Sequence, residues 1–162
     1  MRRLLWSFVG LASGVLALDQ VAKVWVSAVM RLHETRPVIT GFLSLTLVHN
    51  TGAAFGILAG ERSPLRTWFF LLVSFLAIGV VLWLLRQLRP EQKTEAAALS
   101  LILGGALGNV IDRVRFGKVI DFIDVYFRTY HWPAFNVADA AISVGVLVLF
   151  WRLIGHKGKP TG

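Results

Sequence analysis

The chain has 162 residues, 56% of them hydrophobic and 16% charged, with a mean hydropathy of +0.65 and a formal net charge of +8. This apolar content exceeds that of soluble domains, and the basic residues stand mostly at the ends of apolar runs. The excess charge is therefore expected to meet anionic lipid head groups and no nucleic acid. With no cysteine in the chain, disulfides, thiolate nucleophiles and Cys-ligated metals are excluded.

Taken in order, four segments have the apolar length that crosses a bilayer, for which about 20 residues are needed. The first covers about residues 4–29 and is interrupted by Asp19 and Lys23. Arg2 and Arg3 ahead of an apolar run look like a signal peptide, but the run is longer than a signal core and carries charges, so a retained first helix is expected. The second, 67–85, carries no charge. The third, 96–111, is rich in small residues, with Gly104, Gly105, Ala106 and Gly108 suited to close helix packing. The fourth, 134–151, has Asn136 and Asp139 near its start.

The fold class expected is an α-helical membrane protein with four transmembrane helices, in one domain over residues 1–162. Four spans put both termini on one side. Lys and Arg are more densely placed on the short terminal-side segments, which predicts cytoplasmic termini.

Between the first two spans, residues 38–48 include several β-branched side chains with partial alternation, and Gly41 marks a turn or bulge. A small non-cytoplasmic β-sheet resting on the membrane is predicted here, followed by a loop rich in Gly and Ala. Residues 115–133, with Tyr126, Phe127, Tyr130 and Trp132, are expected to form a second outer loop near the membrane face, where aromatic side chains concentrate.

The polar residues set among these segments carry the functional reading, because an ionisable group at membrane depth is costly and usually marks function. Asp19 and Lys23 are four apart and share a helical face, which suits a structural ion pair. Asn50-Thr51-Gly52-Ala53-Ala54-Phe55-Gly56 is either a plain turn or a loop whose small residues, Gly52 among them, let backbone approach a ligand. Asn109 and Asp112 share a face, and Asp112 with Arg113 reads as a snorkelling pair at the membrane edge.

Asp121 and Asp139 are separated by an aromatic, hairpin-like stretch able to return the chain so that both carboxylates face one cleft. Asp139 also opens an apolar run, where it could serve as a helix cap. Asp124 reads as a solvated interfacial charge. The four histidines are scattered without metal-ligand spacing, and the serines lack an activating partner. Metal-assisted and serine-type chemistry are therefore not expected. A carboxylate pair sharing one proton can divide the roles of acid and base. An ion-coupled carrier, the main rival, would need charges spread through the membrane, whereas Asp112, Asp121 and Asp139 gather toward one face.

Five motifs, in order, resemble those of the lipoprotein signal peptidases (signal peptidase II): Asp19-Gln20-Val21-Ala22-Lys23, Asn50 to Phe55, Gly104 to Arg113, Val119-Ile120-Asp121-Phe122 and Phe135-Asn136-Val137-Ala138-Asp139. The resemblance covers nearly the whole chain. Its departures are small: Gly56 where a serine is common, and Ile120 beside the first aspartate.

What the resemblance implies is an aspartic endopeptidase of the bacterial cytoplasmic (inner) membrane, needing no cofactor and no metal, with its active site toward the outer face. Asp121 and Asp139 would be catalytic. Asn50, Gly52, Asn109, Arg113 and Asn136 would surround the substrate or the dyad, and Asp19, Lys23 and Asp112 would be supporting polar residues. The partners implied are prolipoproteins carrying diacylglycerol on their lipobox cysteine, cleaved on the amino side of that cysteine, and membrane lipid. A monomer is expected.

Overall fold

The computed structural model describes residues 2–52 and 64–156. Among the described residues there are four helices: α1 (Arg2–Val29), α2 (Pro64–Gln87), α3 (Lys93–Phe116) and α4 (Val137–His156). The first three are long and apolar enough to cross a membrane. Each helix overlaps one of the segments expected from hydropathy, with α2 and α3 running a few residues further at both ends. The expected loop over Ala53–Gly56 lies outside the described residues.

α3 is the central helix, packed against α1, α2 and α4. Its glycines explain how. A Cβ on Gly104 would stand 2.5 Å from the carbonyl oxygen of Ala12 in α1, and one on Gly105 would collide with the carbonyl of Ala138 in α4. On the next turn, Gly108 admits the Asp19 carboxylate, which a Cβ would meet at 2.5 Å. Gly145 gives α4 the same freedom against Ala98 and Ile102. Backbones thus approach where lipid supplies no hydrophobic drive and van der Waals packing must hold the bundle. By contrast α2 presents Trp68, Phe69, Leu72, Phe75, Leu76 and Trp83 outward, as a lipid-facing helix should.

One end of the bundle carries a four-stranded antiparallel sheet in the order β1-β2-β3-β4, comprising β1 (Thr35–Ile39), β2 (Leu43–Asn50), β3 (Val119–Phe127) and β4 (Tyr130–His131). The turn between β1 and β2 uses Gly41 at φ +84°, and α3 ends on Gly117 at φ +68°, whose N–H returns to the carbonyl of Arg113. Both positions need the left-handed conformation that glycine adopts without a Cβ penalty.

The second outer segment differs from expectation. It is no loop: β3 pairs with β2 from Leu43↔Val125 to Asn50↔Val119 and becomes an inner strand of the sheet. Its first four residues are all buried, so it lacks the clean alternation that advertises a half-exposed strand. Ile120 and Phe122 join Leu47 in a small core with Val26 and Met30 near the end of α1, which seats the sheet on the bundle.

Candidate active site

The site forms where β3, the start of α4 and the membrane-edge turns of α1 and α3 meet. After β4 the chain comes back along β3: Phe135 exchanges backbone hydrogen bonds with Ile123 (2.8 and 3.0 Å) and also accepts from the N–H of Phe122 (3.0 Å). This bridge delivers Asn136 beside Asp121. The Asn136 side-chain amide donates to Asp121 Oδ1 at 2.7 Å and lies 3.2 Å from both the Ile120 carbonyl and Asn109 Oδ1.

Asn136 is also the N-cap of α4. Its Oδ1 accepts the backbone N–H of Asp139 at 2.9 Å, while Asp139 Oδ2 accepts the backbone N–H of Asn136 at 3.3 Å. That is a reciprocal capping box, in which each residue satisfies an N–H left unpaired at a helix start. Asp139 is therefore a capping residue and a neighbour of Asp121 at once. Its other oxygen, Oδ1, accepts from Asn109 Nδ2 at 2.8 Å.

Asp121 is 2% exposed and accepts from Asn50 Nδ2 at 3.0 Å on its second oxygen. Asn50 is itself held by its Oδ1, which accepts the N–H of Gly52 at 2.9 Å. Burial, then the nearby Asp139 carboxylate, push the Asp121 carboxyl up to about 7, against the opposing pull of the Asn50 and Asn136 amides. Arg113 completes the rim. Its guanidinium lies 5.4 Å from the centre of the Phe70 ring, its Nη2 donates to the Gly52 carbonyl at 3.4 Å, and its charge acts on Asp139, Asp121 and Asp112.

Behind the pair lies a closed polar cluster. Lys23, 1% exposed, directs its ammonium at Asp19 Oδ2 (2.8 Å), Asp112 Oδ2 (2.8 Å) and Asn109 Oδ1 (3.1 Å), so all three donors are used. Asp19 Oδ1 reaches across to accept the N–H of Ala138 in the first turn of α4 at 2.9 Å. Asp112 Oδ2 also accepts the N–H of Ile120 at 3.1 Å. The cluster thus ties α1, α3, β3 and α4 to one another, and Asn109 links it directly to Asp139.

The structure extends one expectation and corrects two. Asp19 and Lys23 form the expected ion pair at 2.8 Å, and α3, running alongside α1, brings Asp112 to the same ammonium, so that the pair becomes part of an Asp–Lys–Asp cluster. For the same reason Asp112 does not snorkel with Arg113. Asp124 is not a solvated charge: it is 6% exposed and bonded to His131 Nδ1 at 2.9 and 3.0 Å, because β4 folds His131 over it and stacks the imidazole on Tyr126.

Gln20 was not singled out from the sequence. Its amide reaches Asp112 Oδ1 (3.1 Å), the Gly108 carbonyl (3.2 Å) and Asp19 Oδ2 (3.2 Å). Its polarity in the middle of an apolar run was the signal that could have found it.

Comparison with known proteins agrees with this architecture. Residues 11–155 match the family model described as signal peptidase (SPase) II. A lipoprotein signal peptidase of Geobacter sulfurreducens is 54% identical over 146 residues, 90% of each chain. One from Syntrophus aciditrophicus is 49% identical over 161 residues, 99% of this chain and 100% of its own. A solved structure described as a bacterial membrane enzyme, obtained by the in meso method at 2.3 Å resolution, superposes with a TM-score of 0.87. It is 32% identical and covers 96% of this chain and 93% of its own. Likeness of this extent in sequence and in fold, around a buried carboxylate held by two asparagines, leaves one conclusion: the chain belongs to the signal peptidase II family.

Proposed function

We propose that this chain, a family member that removes signal peptides from prolipoproteins, does so as an aspartic endopeptidase with Asp121 and Asp139 as its catalytic pair. The observation that carries the reading is Asn136, whose side-chain Nδ2 donates to Asp121 while its Oδ1 accepts the Asp139 backbone N–H and its own backbone N–H donates to the Asp139 carboxylate. Two carboxylates so placed share one proton, because like charges at close range resist joint ionisation.

Asp121, the more deeply buried of the two, keeps the proton and polarises the scissile carbonyl. Asp139, ionised, takes a proton from a water molecule as the water oxygen attacks the carbonyl carbon. When the C–N bond breaks, that proton passes to the departing amine, and the pair returns to its starting state. Asn50, Asn109 and Asn136 hold the carboxylates against rotation, and Gly52 and Arg113 line the approach of the peptide. Asp19, Lys23 and Asp112 support the pair from behind and touch no substrate.

The substrate is a prolipoprotein whose lipobox cysteine carries diacylglycerol, and cleavage falls on the amino side of that cysteine. Lipid on the substrate adds affinity, each buried CH₂ contributing about 0.8 kcal/mol. All four helices cross the bacterial cytoplasmic membrane as one domain, with both termini cytoplasmic and the sheet and carboxylate pair at the outer face.

The test is to incubate the purified enzyme with a diacylglyceryl-modified prolipoprotein and with its unlipidated form, and to sequence the new amino terminus. Turnover of the lipidated substrate alone, with cysteine as the new first residue, is expected. Equal turnover of both forms, or cleavage elsewhere, contradicts the reading.

A further inference from the structure

Arg115 stands one residue from the end of α3, exposed, with its guanidinium 5.0 Å from the centre of the Phe116 ring. Among the described residues it makes no ion pair. It borders two separate apolar grooves. One, of about 690 Å³, lies between α2 and the end of α3 and is walled by Trp68, Leu71, Phe75 and Val114. The other, of about 460 Å³, is formed with Val21, Val24 and Trp25 of α1.

Both grooves lead away from the sheet and down the bundle. The Thr67 hydroxyl bonds the Gly117 carbonyl and Arg113 faces Phe70, so along α2 the residues Leu71 and Phe75 lie progressively below the end of α3. α1 runs parallel to α3, with Lys23 level with Asp112, so Val21 and Val24 also lie below Arg115. Arg115 thus sits, exposed, at the head of two largely apolar channels that descend on either side of it, the first lined also by Arg113, which is engaged with Phe70 and Gly52, and the second by Gln20.

We propose that Arg115 binds the phosphate of an anionic diacyl phospholipid of the surrounding membrane, with one acyl chain in each groove. Charge complementarity selects this occupant. A guanidinium matches a phosphodiester with paired N–H donors, and it strengthens where water is scarce at the membrane edge. Two channels meeting at one head fit a lipid with two chains. A diacylglyceryl group, such as a lipoprotein substrate carries, has no phosphate and gives the cation nothing to bind. The inference does not depend on the catalytic assignment.

Native mass spectrometry of the detergent-solubilised full chain, titrated with dioleoyl phosphatidylglycerol, phosphatidylcholine or diacylglycerol, measures binding without any activity readout. One phosphatidylglycerol is expected to be retained in preference to the other two lipids, and less so as ionic strength rises. Arg115→Gln should weaken that binding about fivefold, the effect of one basic residue near the lipid surface. Arg115→Lys should keep most of it, and Arg86→Gln at the far end of α2 should change nothing.

If Arg115→Gln does not insert, the lipid preference and salt dependence of the wild type and of Arg115→Lys decide the matter. Brominated acyl chains on phosphatidylglycerol should quench both Trp25 and Trp68 in a chain whose other tryptophans are Phe. Equal retention of the three lipids, unchanged binding in Arg115→Gln, or quenching of only one tryptophan overturns the proposal.

Discussion

Asn136 and Asp139 cap the same helix for each other, at 2.9 and 3.3 Å, and that exchange fixes how α4 enters the site. Because Asn136 simultaneously holds Asp121 at 2.7 Å, a helix cap and a carboxylate pair are built from one side chain. Asn136→Ala is expected to lower stability by about 1–2 kcal/mol through the lost cap and to reduce turnover by more than the stability loss explains. Asn136→Ser keeps a capping oxygen but removes the amide that donates to Asp121. It should stay closer to wild type in stability and still lose turnover. Thermal unfolding and kcat, measured on the same samples, separate the two effects.

Asp121→Asn and Asp139→Asn should each abolish turnover in chains that still fold and insert, since an amide is nearly isosteric but can neither accept nor share the catalytic proton. Retention of more than about a tenth of the wild-type rate, a barrier change of only about 1.4 kcal/mol, contradicts the assignment. Asp124→Asn should be much milder in rate, because that carboxylate belongs to the His131 contact.

The pH profile follows from Asp121, raised from 3.8 to about 7. Between those values the folded state holds a proton that the unfolded chain has released, so stability falls as pH rises toward about 7 and changes no further from this group above it. Turnover should fall over the same upper limb as the shared proton is lost. Unfolding of Asp121→Asn measured from about pH 4 to about pH 8 should show a flatter dependence than wild type. An identical slope in the two proteins contradicts the shift.

The buried Asp19–Lys23–Asp112 cluster carries a formal charge of −1, one ammonium against two carboxylates. Lys23→Met strands both carboxylates and should be the most damaging single change, at about 3–5 kcal/mol. Asp19→Asn leaves the Lys23–Asp112 pair intact and should cost less. Adding Asp19→Asn to Lys23→Met should recover only part of the loss, with Asp112→Asn needed for more. If Lys23→Met unfolds no more readily than Asp19→Asn, the cluster does not hold the helices as described.

Gly105→Ala places a methyl against the Ala138 carbonyl, rigid backbone that cannot swing aside. α4 must move from α3, carrying Asp139 away from Asp121. Turnover should fall at least tenfold, while Gly79→Ala on the outer helix, where a Cβ meets nothing within 4 Å, leaves it unchanged. Equal activity in the two variants contradicts the packing argument.

Much of this protein is legible in the order of its residues. Apolar runs of bilayer length identify where helices form, because backbone polar groups in hydrocarbon must be satisfied within the segment. Gly104, Gly105 and Gly108 announce close packing, and isolated polar residues in those runs point to the site. β3 was not legible, since a strand buried at Val119–Phe122 shows no alternation and its aromatic end resembles an interfacial loop. Spacing reveals the Asp19–Lys23 pair, four apart on one helix, but not partners on other elements. Lys23 and Asp112 are brought together only when α1 and α3 lie side by side, and Asp124 is covered only when β4 folds back. Local chemistry sets which segments enter the membrane and which groups are costly there. Where a carboxylate meets a donor from a distant element, as Asp112 meets Lys23 and Asp121 meets Asn50, tertiary packing decides the pairing, because no local periodicity records a contact between residues tens of positions apart.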